Sequence, residues 1–272
     1  MKTEESRIKC LNCGHTYKGQ YCPHCGQKAK TKRLQFAELF KNFIAPFVGG
    51  DSKVVNTCRD LFIRPGYMVR DYLLGKRIKY YNPLQMLIYA VTTYAIASYI
   101  LGVSSSVFDD LADLDFDWGE NAREYVSVGL MAKCAKVLYT NKIYGTFFLS
   151  LLAVFPYRML FRTKILRPDG AMQPLNLTEQ FYTQMFFSCL QMMISIILLP
   201  VCLIDGTEDT VQTIYQVVGL AYVAVIYKQL LGIGWLKSTL LNVLAIILAI
   251  LFVFVLIIFV LVVALVIEHA LK

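Results

Sequence analysis

The chain has 272 residues, of which 57% are hydrophobic and 17% charged, with a mean hydropathy of +0.52. A soluble domain carries about 25% charged residues, so this composition excludes an ordinary water-soluble domain and points to a membrane protein. The net charge of +8 is unevenly placed: residues 1–82 hold 16 of the 27 Lys and Arg against 6 of the 19 Asp and Glu, and basic residues gathered beside membrane spans mark the cytoplasmic side.

The first thirty residues hold the most specific pattern. Cys10-Leu-Asn-Cys13-Gly14 is followed eight residues later by Cys22-Pro-His-Cys25-Gly26. Two Cys-x-x-Cys turns bring four thiolates around one tetrahedral ion, and a small unit of this kind takes its folding free energy from the metal, on the order of 10 kcal/mol or more. The expectation is a zinc-ribbon-like knuckle over 1–30, with Zn²⁺ in a closed, structural role on Cys10, Cys13, Cys22 and Cys25. His15 and His24 are spare ligands, and Tyr17 and Tyr21 suit a short hairpin that lays an aromatic on the site. Cys22-Pro-His-Cys25 alone also resembles a redox dithiol, but two pairs without a surrounding βαβ pattern favour metal.

Residues 31–82 form an amphipathic, basic juxtamembrane region. Phe36, Phe40, Phe43 and Phe47 recur at helical spacing, and Gly49-Gly50 breaks that helix. A second helix from Ser52 carries Val54, Val55, Leu61 and Phe62. Arg64-Pro65-Gly66 is expected to end it, with the glycine in the left-handed position. The segment from Tyr67 to Tyr81 is expected to lie along the headgroups, with Arg70, Lys76, Arg77 and Lys79 touching anionic lipid.

Residues 83–272 read as an all-α membrane bundle of about five spans: Leu84 to Val103, Tyr144 to Phe161, Phe181 to Ile204, Val211 to Tyr227 and Thr239 to Ile267. Each reaches the length of about 17–25 residues that a bilayer requires, and the fifth is long enough to tilt or to extend past the hydrocarbon. The polar stretch from Met1 to Arg33 offers no signal segment, which leaves insertion to the first span. The acidic loop with Asp109, Asp110, Asp113, Asp115, Asp117 and Glu120 is expected outside, and the loop with Arg158, Arg162, Lys164 and Arg167 inside. That order places the N-terminus in the cytoplasm and the C-terminus outside, although Arg123, Lys133, Lys136 and Lys142 run against it.

One face of the third span is polar for about three turns, through Gln180, Gln184, Ser188, Gln191 and Ser195. Gln212, Gln216 and Gly219 share a face of the fourth. Side chains of this kind in lipid must find partners, so they either hydrogen-bond between helices or line a polar path. Neither a phosphate-cradling loop nor a nucleophile elbow is present.

Cys10-x-x-Cys13-Gly14, Tyr21-Cys22-Pro-His-Cys25-Gly26, Arg64-Pro-Gly66, and Gly75-Lys76-Arg77-x-x-Tyr80-x-x-Pro83 together resemble a bacterial family of multi-pass membrane proteins catalogued only as a domain of unknown function. The resemblance covers roughly residues 8–95. It implies a cytosolic zinc ribbon joined to membrane helices in the bacterial inner membrane, and it implies no reaction.

The expected function is a non-enzymatic adaptor or scaffold whose knuckle docks a protein partner or a second copy. Alternatives are a small permease or pore using the Gln face of the third span and, more weakly, a membrane-embedded enzyme acting on lipid. The basic residues of the knuckle, with Tyr17 and Tyr21, make only a modest surface, and nucleic acid is not expected as a partner.

Overall fold

A computed structural model describes residues 7–29, 51–102, 152–204 apart from 167 and 169, and 207–271. The amphipathic helix expected over Lys32 to Phe47, the acidic loop and the first eight residues of the second expected span, 144–151, lie outside these residues.

The N-terminal unit is built on two hairpin strands, β1 (Ile8–Lys9) and β2 (Thr16–Tyr17), paired antiparallel with Ile8 opposite Tyr17. Helices α1 (Asp51–Ile63) and α2 (Pro65–Leu73) follow, separated by Arg64 alone. Proline at the first position of α2 lacks an N–H that a helix start would leave unpaired anyway, so here Pro65 opens a helix as well as closing the one before.

Among the described residues, four of the helices that come next are long and apolar enough to cross a membrane. They are α3 (Pro83–Leu101), α5 (Leu177–Leu198, continued by a 3₁₀ turn to Leu203), α6 (Glu208–Leu231) and α7 (Trp235–Leu271), with candidate spans Pro83–Leu101, Leu177–Leu203, Thr210–Leu231 and Trp235–Leu256. Their starts and stops follow from local chemistry. Asn82 caps α3 by accepting from the Leu84 amide at 3.0 Å, and Gly102 ends it in the left-handed conformation. Asn176 and Glu179 form a reciprocal capping box on α5, at 2.6 and 2.8 Å. Gly232, at φ 67°, turns α6 into α7.

Of the second expected span, residues 152–161 are described, and Val154–Leu160 within them form the short helix α4. A hairpin of β3 (Lys164–Leu166) and β4 (Met172–Pro174) then leads into α5, with Ile165 opposite Gln173.

The bundle core lies where α5 meets α3, α4 and α6, with α1 and α2 closing one end. Tyr182, Tyr227, Phe161 and Phe186 are each less than 2% exposed. Phe161 stacks on Tyr227 at 4.1 Å between centroids, and Tyr72 of α2 meets Phe186 edge-on at 5.1 Å. By contrast α7 keeps most of its apolar surface outward: only 11% of its span is buried within the protein, as expected of a helix solvated by lipid.

Two expectations about the segment after Arg64 are corrected. Gly66 is not left-handed; it lies inside α2, pressed against α6. A Cβ there would collide with the Ile226 carbonyl oxygen and stand 2.5 Å from Gln229 Cβ and 2.9 Å from the Leu230 nitrogen, so glycine is required by the approach of two backbones. Nor does α2 rest only against headgroups: Met68, Val69, Tyr72 and Leu73 are buried in the core. Its first amides, on Gly66 and Tyr67, donate to Oε1 of Gln229 at 2.9 and 3.3 Å, so a side chain of α6 caps α2 in place of a local residue.

Candidate metal centre and its attachment to the bundle

The two cysteine turns have the same construction. The Cys10 carbonyl accepts from the Gly14 amide at 2.9 Å and the Cys10 amide donates to the His15 carbonyl at 2.8 Å; Cys22 does the same with Gly26 and Gln27, at 2.9 and 2.8 Å. Gly14 and Gly26 take φ of 77° and 74°, where a side chain would be strained. Repeating one turn twice aims two pairs of sulfurs at one point.

All four Sγ atoms lie within 4.8 Å of one another. Cys10 and Cys25 are 3.5 Å apart and Cys13 and Cys22 3.6 Å apart, with every thiol free. A disulfide would need about 2.05 Å, whereas four sulfurs at about 2.3 Å from one tetrahedral ion stand about 3.8 Å from each other. The spacing therefore fits a metal held by four cysteines. Tyr17 is packed with Cys10 and Cys22, shielding one side, and the rings of His15 and His24 stack at 5.9 Å.

The environment acts on two of the thiols in opposite directions. Burial raises Cys10, but amide hydrogen bonds from Cys13 and Asn12 outweigh it and bring that thiol down to about 7. The His15 amide lowers Cys13, yet burial and hydrogen bonding with the other three sulfurs push it up to about 12. Four thiolates cannot crowd together without a cation, so metal binding must release protons.

The knuckle is fastened to the helical body by its own sequence. Gln27, 4% exposed, donates from Nε2 to the Gly75 carbonyl at 2.7 Å. Gly75 has φ of 109° and sits in the turn after α2, where the chain doubles back towards α3. This buried side chain joins the cysteine unit to the turn that leads into the bundle.

Beside that turn is a charged cluster centred on Asp60 of α1, 3% exposed. Its carboxylate receives Arg64 at 2.7 Å, Lys79 at 2.8 Å and the Tyr80 hydroxyl at 2.9 Å, with Arg59 at 3.2 Å. Burial opposes its charge, but the hydrogen bonds from Arg64, Lys79 and Tyr80 win and hold the carboxyl well below the usual carboxylate range. Burial and the neighbouring Asp60 push the Tyr80 phenol well above its ordinary value, keeping it a donor. Thr57 adds a further tie, accepting from the Tyr81 amide at 2.9 Å.

The structure distributes the four expected lipid-facing cations unequally. Lys79 faces Asp60, Lys76 pairs with Asp71 at 2.9 Å, Arg77 lies in the Gly75 turn, and Arg70 is at the last turn of α2. Asp60 as the hub was not singled out from the sequence, although its spacing of four from Arg64 was the signal available.

The polar face of α5 divides in the same way. Gln180 and Gln184 both donate to the Tyr227 hydroxyl on α6, the second at 3.3 Å. Ser188 and Ser195 bond back to the carbonyls of Gln184 and Gln191, each at 3.0 Å. Gln191 instead lines a cavity of about 310 Å³ together with Gln184, Gln216, Tyr157 and Tyr215. Gln212 lies on the same helix as Gln216, with its Nε2 buried and without a partner among the described residues.

A family model described as a protein of unknown function (DUF3667) matches residues 51–95. That stretch holds Asp60, Arg64, Gly66, Gly75 and Tyr80, but none of the four metal-site cysteines. No curated protein and no solved structure matches the chain.

Proposed function

We propose that this is a non-enzymatic adaptor of the bacterial inner membrane, in which a Zn²⁺-loaded knuckle on the cytoplasmic side offers a docking surface for a protein partner. The observation that carries this reading is the attachment of Gln27 to Gly75. A metal unit bound to the bundle at a fixed point can hold a partner in a defined position relative to the membrane, which a freely tethered unit cannot. Four thiolates also close the coordination sphere, leaving no open position for a reacting group, and Zn²⁺ is the default ion for a small four-thiolate site.

Five spans, with the N-terminus inside and the C-terminus outside, complete the proposal. The four apolar helices and the basic excess of residues 1–82 support it. Anionic lipid would assist through cations such as Arg70 and Arg77 at about 1 kcal/mol each.

The test is chemical crosslinking in intact membranes followed by mild-detergent purification, comparing the wild type with Cys10→Ser/Cys13→Ser at equal membrane insertion. The expected result is one protein crosslinked to residues 7–29 in the wild type and lost from the variant. Identical crosslinks in both samples, or crosslinks only to the spans, would overturn the adaptor assignment.

A further inference from the structure

The cavity between α5, α6 and α7 does not belong to the metal knuckle, and its chemistry specifies a ligand. Its volume of about 310 Å³ falls at the small end of the roughly 300–1,000 Å³ in which proteins hold small molecules. Among the described residues, no Asp, Glu, Lys, Arg or His lines it, so an ionic head would enter at a large desolvation cost. Most of the wall is aliphatic or aromatic.

Within that wall Gln191 is 9% exposed, and its Oε1 is buried with no hydrogen-bond partner among the described residues. A buried amide oxygen left unpaired in a membrane core is costly, and the side chain can present either end of its amide by turning about its last bond. Gly219 makes room for it: a Cβ at that position would stand 3.2 Å from Gln191 Nε2. A hydroxyl group suits an amide in either orientation, donating to the oxygen or accepting from the nitrogen.

The direction of access is also fixed. Leu220 and Ile250 stand at the rim, 54% and 61% exposed, and both belong to candidate membrane spans. With those spans in a bilayer, their outward faces would meet acyl chains and the cavity would open sideways to lipid.

We propose that this cavity binds an uncharged, hydroxyl-bearing lipid of the monoacylglycerol class, taken from the membrane, with its hydroxyl on Gln191 and its chain along the apolar wall. The site is independent of the knuckle and of the adaptor reading.

The test uses the full-length protein in nanodiscs of zwitterionic phospholipid and a monoacylglycerol carrying a diazirine on its chain. Photolabelling is expected to saturate, to be displaced by unlabelled monoacylglycerol, and to map to peptides containing Gln191 or Gly219. Gln191→Leu should weaken it by about tenfold or more, as loss of a buried hydrogen bond does, and a fatty-acid probe with the same diazirine should label far less because its head is anionic. Wild-type labelling that rises linearly and is not displaced would overturn the proposal whatever the variant does. So would equal labelling by the fatty acid, or undiminished labelling of a Gln191→Leu protein.

Discussion

The side-chain amide of Gln27 reaches the carbonyl of Gly75 at 2.7 Å, across 48 positions of sequence. Both groups are buried, so the contact excludes water, and the Gly75 carbonyl accepts from the Arg77 amide as well, at 2.9 Å. The cysteine turn that ends at Gly26 and the glycine turn that precedes the first long helix are held as one piece.

Replacing Gln27 with Ala should therefore free the knuckle while leaving its four sulfurs intact. The Gly75 carbonyl keeps the Arg77 amide at 2.9 Å, so the cost is that of one hydrogen bond, about 0.5–1.5 kcal/mol. Hydrogen exchange should quicken at residues 74–77, with metal content unchanged. Protection at that turn equal to the wild type would show the contact to be incidental.

Gly66→Ala tests the approach of α2 to α6. The added methyl meets backbone atoms of Ile226 and Leu230, not the end of a flexible side chain, so relief requires moving a helix. Overpacking of this kind costs about 1–3 kcal/mol, visible as a lower melting temperature in detergent. Gly102→Ala is a comparison in which nothing lies within 4 Å of the new methyl but φ is +65°; its cost should be smaller and confined to the end of α3.

Asp60 makes a pH-dependent contribution. Folding lowers its carboxyl below the unfolded value of about 3.9, so its stabilisation is fully present above that value and is lost as pH falls through the folded one. Melting temperature should fall as pH drops below about 4, and Asp60→Asn should lack this component. At neutral pH the same substitution should cost about 1–3 kcal/mol, below the range for fully buried pairs because Arg64 and Lys79 are a third or more exposed. An acid profile identical in the two proteins would remove Asp60 from its central place.

Tyr227→Phe removes the acceptor shared by Gln180 and Gln184. Hydrogen bonds between membrane helices are worth about 0.6–2 kcal/mol, and two are lost together. The variant should melt earlier while retaining its metal; an unchanged melting temperature would mean that both glutamines find other partners.

What the sequence made legible and what it did not follows from the range of each interaction. Cys10 to Cys25 are close in the chain, and their spacing alone specifies the turns that bring the sulfurs together. The four candidate spans follow from composition over windows of about 20 residues. Gly66 was misread because its partner is α6, some 160 residues away, and a glycine beside a proline looks locally like a helix stop. The pairing of Lys76 and Lys79 with Asp71 and Asp60, 5 and 19 residues away, was hidden for another reason: a basic run beside a span reads as lipid-facing until the fold supplies carboxylates. Along α5, periodicity placed Gln180 to Gln191 on one face, but only the packing of α6 separates Gln180, bonded to Tyr227, from Gln191, which faces the cavity.

The measurement that tests the account most directly is metal content, determined by elemental mass spectrometry on detergent-purified wild type and Cys22→Ser. Four convergent thiolates predict about one Zn²⁺ per chain, with near-complete loss in the variant and faster hydrogen exchange at residues 74–77 as the loosened knuckle releases Gly75. Wild-type protein that carries no more Zn²⁺ than the variant when purified under reducing conditions without chelator would contradict it.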